Sequence, residues 1–562
     1  MIRKTILFPV LLVLVSGISV GQTYRRLTEA RYIDKMKAGW VGQMAGVGWG
    51  APTEFKWNGI IIPEDKMPAW GPGLINQFNQ DDIYVEMTFL QTLEQYGLDV
   101  SIRQAGIDFA NSGYRLWHAN RAGRTNLRNG IAPPDSGHPQ FNSHADDIDY
   151  QIEADFSGLI APGMPNFVIE LGEKFGRLMN YGDGLYGGQF VGGMYAEAFF
   201  EKDMERIVRA GLACIPEKSQ YHECISDVLR WHKQNPDDWQ KTWKLINEKY
   251  QKNPAYRRFS CQGAQSDFNI DAKINGAYIV MGLLYGGGDP DKTIIISTRC
   301  GQDSDCNPSN AGGILFTTIG FSNLPERFKS AIDPEGKFSH TPYTFPKLVD
   351  VSKQLVRQAV IRGGGRVETG PSDGEVFVIP VKEPGPSALE QCWEPGPIAN
   401  SRFTEEEVAG MRFRPVDWKA AVEKLAPGWT VTNCFDDFLD DICLGYVDKV
   451  RGKSGVLVTH PKDRRTACIL SRTVSIPEGK KTSLHLTVGH HEKGNWMLIV
   501  EADGSHLFKG IVGAENTTDG WRDIVVDLSK YAGKKIKLKL HQYPNDWNNE
   551  AGYWARIEII SK

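Results

Sequence analysis

The pattern of apolar residues changes once along the chain, and this change limits the folds that the sequence can adopt. Apolar residues repeat at helical spacing through much of 27–365. From about residue 441 onward, short β-prone runs are separated by turn residues at regular intervals, as in a β-sandwich or jelly roll. The sequence therefore predicts a multidomain protein in which an all-α bundle is followed by a C-terminal β-sandwich of jelly-roll type.

We expect four segments, whose limits follow the changes in composition. Residues 1–21 are predicted to be an export signal, and 22–365 to be the helical catalytic part. Residues 366–440 contain clusters of glycine and proline and are predicted to be a connecting region. Residues 441–562 are predicted to form the β-sandwich, with carbohydrate binding as one of its alternative roles.

The first residues have the pattern of a signal for export. Arg3 and Lys4 precede an apolar run, and small residues then precede Gln22. The run is too short for a comfortable membrane span, which makes a retained anchor the lesser alternative. We therefore expect cleavage before Gln22, a periplasmic or extracellular protein, and no membrane span after cleavage.

Charge and cysteine content exclude two classes of protein. The net charge is −4, and no basic stretch indicates a nucleic-acid partner. The nine cysteines are scattered without the spacing of zinc-finger ligands. Buried, unreacted cysteines are the preferred interpretation. Export would also allow local pairs, for which the candidates are Cys434 with Cys443 and Cys214 with Cys224.

Two pairs of aspartates, far apart in sequence, each stand at the start of a predicted helix. Asp81 and Asp82 precede an apolar pattern at 83–96, and Asp303 and Asp305 precede a helix of small residues. Aspartate is favoured at helix starts for structural reasons, but two acidic residues exceed what capping requires. Carboxylates that face one another repel, and a hard divalent cation is the simplest group to lie between them. The pairs therefore predict a metal-dependent enzyme.

Two further acidic elements are candidates for contact with a substrate. Asp146, Asp147 and Asp149 precede an apolar stretch. They fit an ordinary capped helix start, and they fit equally a contact with a substrate or a second ion. A glycine-rich turn delivers Glu54, but its spacing is not that of a nucleotide-binding loop. We therefore interpret the glycines as packing and turn residues and Glu54 as the reactive group.

At these motifs the sequence resembles the ADP-ribosylglycohydrolase family over roughly residues 30–320. The first family motif is a helix with regularly spaced glycines followed by Gly-Ala-Pro-x-Glu-Phe. Thr-Asp-Asp-Thr and Asp-x-Asp-Thr are the later motifs. The matching positions are Gly42, Gly46, and residues 50–55, 80–83 and 303–306.

The resemblance implies an all-α ADP-ribosylglycohydrolase-like bundle with a magnesium pair between the acidic helix starts. Glu54 would be the acid/base or metal-gating carboxylate near the bond that is cleaved. The expected cofactor is Mg²⁺, with Mn²⁺ or Ca²⁺ as alternatives. The implied metal ligands are Gln80, Asp81, Asp82, Asp303 and Asp305, and the candidate catalytic carboxylates are Glu54 and Asp82.

The sequence departs from the family pattern at several positions. Val47 replaces an aspartate, and Gln80, Ile83 and Cys306 replace hydroxyl residues. A glutamine amide oxygen can ligate a hard cation, whereas isoleucine cannot and a cysteine sulfur is too soft to be preferred. One ion and two ions therefore both stay open. Residues 154–160 take the place of the phosphate-binding stretch and lack its basic residue, which argues against a pyrophosphate-bearing substrate.

Three functional hypotheses follow. We prefer a secreted, metal-dependent glycoside hydrolase that cleaves a glycosidic bond in an extracytoplasmic glycan or glycoconjugate. The second hypothesis is an ADP-ribosyl hydrolase that releases ADP-ribose, and the third is a non-catalytic glycan-binding protein with a structural cation. The sequence does not indicate an oligomeric state. Aromatic residues of the β-sandwich either fill its core or stack on sugars: Trp496, Trp521, Trp547, Tyr553 and Trp554.

Overall fold

A computed structural model describes residues 22–370, 374–411, 416–435, 443–545 and 549–562. The predicted export signal and Trp547 lie outside these ranges. Within them, no helix combines the length and the apolar character that a membrane crossing requires.

The N-terminal part is a bundle of helices around one hydrophobic core. Helix α12 (Ala272–Gly286) is buried on nearly all of its faces, as its apolar pattern predicts. The α-helices of the described residues are α1 (Glu29–Gly50), α2 (Asp81–Tyr96), α3 (Ile102–Ala110), α4 (His118–Arg128), α5 (Asp149–Ile152), α6 (Asp155–Leu159), α7 (Pro165–Phe175), α8 (Asp183–Ala198), α9 (Met204–Leu212), α10 (Gln220–Gln234), α11 (Trp239–Ile246), α12 (Ala272–Gly286), α13 (Pro290–Arg299), α14 (Cys306–Ile319), α15 (Phe345–Arg362), α16 (Glu405–Gly410) and α17 (Trp418–Leu425). The last two follow the bundle in sequence, and α17 packs against the core of the β-sandwich.

The C-terminal part is a β-sandwich, so the predicted fold class is confirmed. It consists of two antiparallel sheets of five strands each. Apolar side chains from both sheets fill the space between them. The strands of the described residues are β1 (Tyr24–Thr28), β2 (Arg366–Thr369), β3 (Glu375–Pro380), β4 (Thr430–Thr432), β5 (Gly445–Val450), β6 (Lys453–Thr459), β7 (Cys468–Ser475), β8 (Thr482–His490), β9 (Trp496–Ala502), β10 (Ser505–Val512), β11 (Trp521–Asp527), β12 (Lys535–Pro544) and β13 (Gly552–Ser561). One sheet of the sandwich has the strand order β10-β9-β12-β7-β4, and the other has the order β11-β8-β13-β6-β5.

Four of the five aromatic residues that the sequence singles out in the sandwich are described, and all four are buried. Trp496 and Trp554 are fully buried, and their rings lie 5.2 Å apart. Trp521 and Tyr553 are each 8% exposed. Trp496 and Trp554 therefore fill the space between the two sheets, whereas Trp521 and Tyr553 belong to a separate buried cluster with Val456, Val458 and Ala551. The burial of all four side chains does not support a sugar-stacking surface made from them.

The disulfide differs from the predicted local pairs. Cys434 is bonded to Cys468, because β4 pairs with the beginning of β7 and brings the two residues side by side. Cys443 is a free, exposed thiol. Cys214 and Cys224 are free and buried. Their sulfur atoms face the carbonyl oxygens of Ala210 and Lys273, each at 3.5 Å.

A small sheet joins the beginning of the helical part to residues predicted to be a connecting region. Strand β1 pairs with β3, and β3 pairs with β2, all antiparallel. The buried side chains of Leu27 and Phe377 stand opposite each other in this sheet. The connecting region then follows the helical surface, where Glu390 pairs with Arg177 at 2.6 Å and Glu407 pairs with Arg103 at 2.5 Å.

Helices α1 and α14 pack with their backbones in contact, and this packing positions the acidic residues. A Cβ atom on Gly46 would collide with the carbonyl oxygen of Pro308, and one on Gly50 would collide with that of Ser304. Glycine is therefore the residue that both positions require. The contact places the end of α1, which leads to Glu54, beside the beginning of α14.

Candidate active site

The acidic residues of three distant segments meet at one place. Glu54 follows α1, Asp82 lies in the first turn of α2, and Asp305 is the N-cap residue of α14. Three carboxylate oxygens lie within 4.8 Å of one another, one each from Glu54, Asp303 and Asp305. Ligand atoms of Asp82, Asp305 and Cys306 form a second group within the same limit. The structure thus brings Asp82 of the first aspartate pair together with Asp303 and Asp305 of the second pair. Asp81 is in neither group and lines the adjoining cleft.

Asp82, Asp303 and Asp305 are buried. Among the described residues, Asp82 Oδ1 and Asp303 Oδ1 have no hydrogen-bond partner. Burial and the neighbouring charge of Asp305 raise the pKa values of Asp82 and Asp303 well above the ordinary range of an aspartate. The same causes raise the pKa of Asp81 to about 6. Hard divalent cations are bound by several oxygen ligands, and carboxylate oxygens are the most common of these. The unpartnered carboxylate oxygens of this cluster are therefore suitable ligands for such a cation.

Glu54 differs from the other acidic residues because its side chain is exposed. Partial loss of hydration and the charges of Asp305 and Asp81 raise its pKa. The backbone N–H of the next residue, Phe55, donates to the carbonyl oxygen of Gln302 at 3.1 Å. This bond ties the Glu54 turn to the loop that carries Asp303.

The departures from the family pattern have structural explanations. Gln80 is the N-cap residue of α2, but its side chain does not cap the helix and instead lines a cleft. The Cys306 thiol donates to Asp82 Oδ2 at 3.3 Å and lies 3.7 Å from Asp305 Oδ1. Ile83 and Val47 are fully buried in the helical core, so they serve packing.

The acidic cluster opens into a cleft of about 520 Å³. Three aromatic side chains line it, those of Phe55, Trp117 and Phe268, and Trp117 is 42% exposed. The described residues that line the cleft include neither lysine nor arginine. Glu54, Gln80, Asp81, Asp149 and Asp303 contribute polar groups to its wall.

The three aspartates at 146–149 have three different environments. Asp149 lines the cleft and accepts hydrogen bonds from the backbone N–H groups of Ala119 (3.1 Å) and Asn120 (3.0 Å) at the start of α4. Asp147 faces two histidines, as described below. Asp146 does not line the cleft.

Asp146 belongs to a buried ion-pair cluster centred on Lys273. The ammonium of Lys273 lies 3.0 Å from Asp146, 3.6 Å from Asp271 and 3.7 Å from Asp183. A buried ammonium group needs negatively charged partners, and the Asp146 carboxylate forms an ion pair with Lys273. This placement does not support the predicted contact of Asp146 with a substrate.

Sequence reasoning missed a buried polar layer behind the acidic cluster. Glu86 accepts hydrogen bonds from the Gln43 amide and from the backbone N–H of Phe156, the latter at 2.8 Å. Asp155 accepts a hydrogen bond from the Asn310 amide at 2.7 Å. The spacing of Glu86 from Asp82 is one turn of a helix, and this spacing could have identified it.

Comparisons with known proteins give one family match and several distant structural likenesses. A sequence model of the ADP-ribosylglycohydrolase family matches residues 28–360. Among solved structures, an ADP-ribosylglycohydrolase-related protein complex is 14% identical, covering 59% of this chain and 99% of that chain with a TM-score of 0.39. A cyclase from Fischerella sp. TAU is 11% identical, covering 25% of this chain and 86% of that chain with a TM-score of 0.19. A CBM22-1 xylan-binding domain from Paenibacillus barcinonensis is 13% identical, and the match covers 25% of this chain and 90% of that chain with a TM-score of 0.19.

No curated protein matches the sequence. The family match extends over more than half of the chain and includes every residue of the acidic cluster. The chain therefore belongs to the ADP-ribosylglycohydrolase family.

Proposed function

We propose that this protein is a metal-dependent hydrolase that cleaves a glycosidic bond in an extracytoplasmic glycan or glycoconjugate. The observation that carries the proposal is the meeting of carboxylates from three distant segments at an aromatic-lined cleft. Family membership supports hydrolysis of a glycosyl bond.

In this proposal Asp81, Asp82, Asp303 and Asp305 hold the cation, and the Gln80 amide oxygen is a further ligand. A divalent cation bound there would offset the carboxylate charges and polarise a sugar oxygen or a water molecule. Asp82 is fully buried and does not line the cleft, so we assign it to cation binding rather than to proton transfer.

Glu54 is the proton-transfer group in this proposal. Its carboxylate lines the cleft, and its raised pKa brings it nearer to neutrality, where a general base is most effective. A carboxylate oxygen of Glu54 accepts a proton from the attacking water. Asp149 lies on the same wall, where its negative charge favours the positive character that a sugar ring develops as the bond breaks.

The walls of the cleft favour a sugar without phosphate groups. Trp117, Phe55 and Phe268 contribute aromatic rings to the wall, and aromatic rings can stack on sugars. A pyrophosphate would need several cationic groups, and His118 is the one basic side chain among the described lining residues, which include neither lysine nor arginine. We therefore place a neutral glycan ahead of an ADP-ribosylated protein as substrate.

The substrate is tested by incubating the mature protein with a panel of glycans and, in parallel, with an ADP-ribosylated protein. We expect release of sugar from a glycan, loss of release in EDTA, and recovery with Mg²⁺ or Mn²⁺. Release of ADP-ribose alone would select the second hypothesis, and glycan binding without turnover would select the third. Full activity after exhaustive removal of metal would contradict the role of the cation.

Export is part of the proposal, and the Cys434–Cys468 disulfide supports it because disulfides persist in oxidising compartments. We expect the protein recovered from a secreting host to begin at Gln22. N-terminal sequencing of that protein tests this, and retention of the first 21 residues would contradict it.

A further inference from the structure

A second set of ligand-type side chains lies beside the acidic cluster. We call it the His–Cys cluster, and it consists of His118, His144, Asp147 and Cys261. One ligand atom of each residue lies within 4.8 Å of the ligand atoms of the others. The sequence alone does not predict this cluster, because its four residues come from three separate segments.

The His–Cys cluster converges on the Asp147 carboxylate. Asp147 Oδ2 lies 2.7 Å from His144 Nδ1 and 3.3 Å from His118 Nδ1. The two imidazole rings are 5.3 Å apart. The Cys261 thiol also interacts with Asp147.

Unsatisfied buried atoms indicate that the cluster lacks a component. The Asp147 side chain is fully buried, and its Oδ1 has no hydrogen-bond partner among the described residues. His118 Nδ1 is likewise buried without a hydrogen bond of acceptable geometry. An unpaired carboxylate oxygen in such a place is costly, and a cation between these atoms would remove that cost.

The chemistry of the four ligands selects the class of cation. Two imidazole nitrogens, one carboxylate oxygen and one sulfur are a mixed, partly soft donor set, which suits Zn²⁺ and not Mg²⁺. Ligands of a tetrahedral zinc ion lie about 3.3–3.8 Å from one another. The observed limit of 4.8 Å therefore asks for only small side-chain movements.

The backbone holds His118 in an uncommon conformation. Its φ is +40°, in the left-handed region that a residue other than glycine seldom adopts. The next two N–H groups are fixed by Asp149, and the imidazole stacks on Phe268 at 5.8 Å between centroids. Such conformations persist where the surroundings determine them, and they are common at functional sites.

We propose that His118, His144, Asp147 and Cys261 form a second metal site, which binds one Zn²⁺. With four protein ligands the site would be closed and structural. It would fasten the segment that carries Cys261 to the start of α4. The same segment supplies Gln262 and Phe268 to the cleft wall, so the ion would fix the shape of the substrate-binding surface. This inference does not rest on the proposed function.

Cobalt provides the first test, because Co²⁺ ligated by a thiolate has a sulfur-to-metal charge-transfer band in the near ultraviolet. Metal-free full-length protein, with the Cys434–Cys468 disulfide intact, is titrated with Co²⁺ in excess Mg²⁺, which occupies oxygen-only sites. We expect the band to saturate at one equivalent and to disappear when Zn²⁺ is added. The band should be lost in Cys261→Ser and kept in the controls Cys306→Ser, a thiol of the acidic cluster, and Cys443→Ser.

Alkylation of the unmodified protein is the second test, and it needs no variant that might fail to fold. Cys261 is partly exposed and Cys443 is exposed. With iodoacetamide and peptide mass spectrometry, we expect Zn²⁺ to slow labelling of Cys261 at least tenfold and to leave Cys443 unchanged. The proposal is overturned if Zn²⁺ does not protect Cys261, if wild type lacks the cobalt band, or if the band depends on Cys306 instead of Cys261.

Discussion

Replacement of Glu54 by glutamine should lower kcat by about 10²–10⁴-fold, the range for loss of a general acid or base. Glutamine keeps the size of the side chain but cannot accept the proton of an attacking water. The turn should keep its position, because the bond between Phe55 and Gln302 is made by backbone atoms. The measurement is kcat and KM on the glycan identified by the panel, together with calorimetric titration of Mg²⁺.

Glu64→Gln is the matched control, since Glu64 is exposed and lies outside the cleft. It should keep the kcat of the wild type. A Glu54→Gln variant with unchanged kcat would assign the proton transfer to another residue. A fall in Mg²⁺ affinity that accounts for the whole loss of rate would instead make Glu54 a cation ligand.

Removal of the cation should make the stability of the protein strongly dependent on pH. The raised pKa values of Asp82 and Asp303 mean that the folded protein holds protons that the unfolded chain releases above about pH 4. In EDTA, the free energy of unfolding should therefore fall as the pH rises from about 4 through the raised pKa values, of which that of Asp81 is about 6.

Cation binding should reverse this loss. At a cation concentration 100 times Kd, the added free energy of unfolding is about 2.7 kcal/mol. Asp305→Asn should raise the Tm of the metal-free protein at neutral pH, because it removes one of the repelling charges, and it should abolish the response to Mg²⁺. Scanning calorimetry from pH 5 to 8, with and without Mg²⁺, measures both effects, and Asp448→Asn on β5 is the surface control. An equal response to Mg²⁺ in wild type and Asp305→Asn would contradict the assignment.

Local sequence patterns were sufficient for most of the fold. The apolar repeat of α12 and the alternating runs of the sandwich are determined by burial, which acts residue by residue along an element. The pairing of β1 with β3 could not be predicted in the same way. A pattern of alternating residues predicts a strand but does not indicate which other strand it pairs with. In addition, β1 and β3 are separated in sequence by the whole helical bundle.

The candidate site was only partly accessible from the sequence. The aspartate pairs at α2 and α14 stand out because two acidic residues at a helix start exceed what capping requires. Asp146, Asp147 and Asp149 share one short segment, yet the tertiary partner of each decides its environment. The His–Cys cluster could not be predicted from the sequence, because Cys261 comes from a distant loop and its spacing from the other three residues matches no metal-binding motif.

The small sheet has a practical consequence for dividing the protein. The family match ends at residue 360, before β2 and β3 begin. A protein cut there would leave β1 with an unpaired edge and would strip Phe377 from the buried side chain of Leu27. The shortest piece that keeps the helical part intact therefore extends at least to Pro380, and the ion pair of Glu407 with Arg103 favours a still later end.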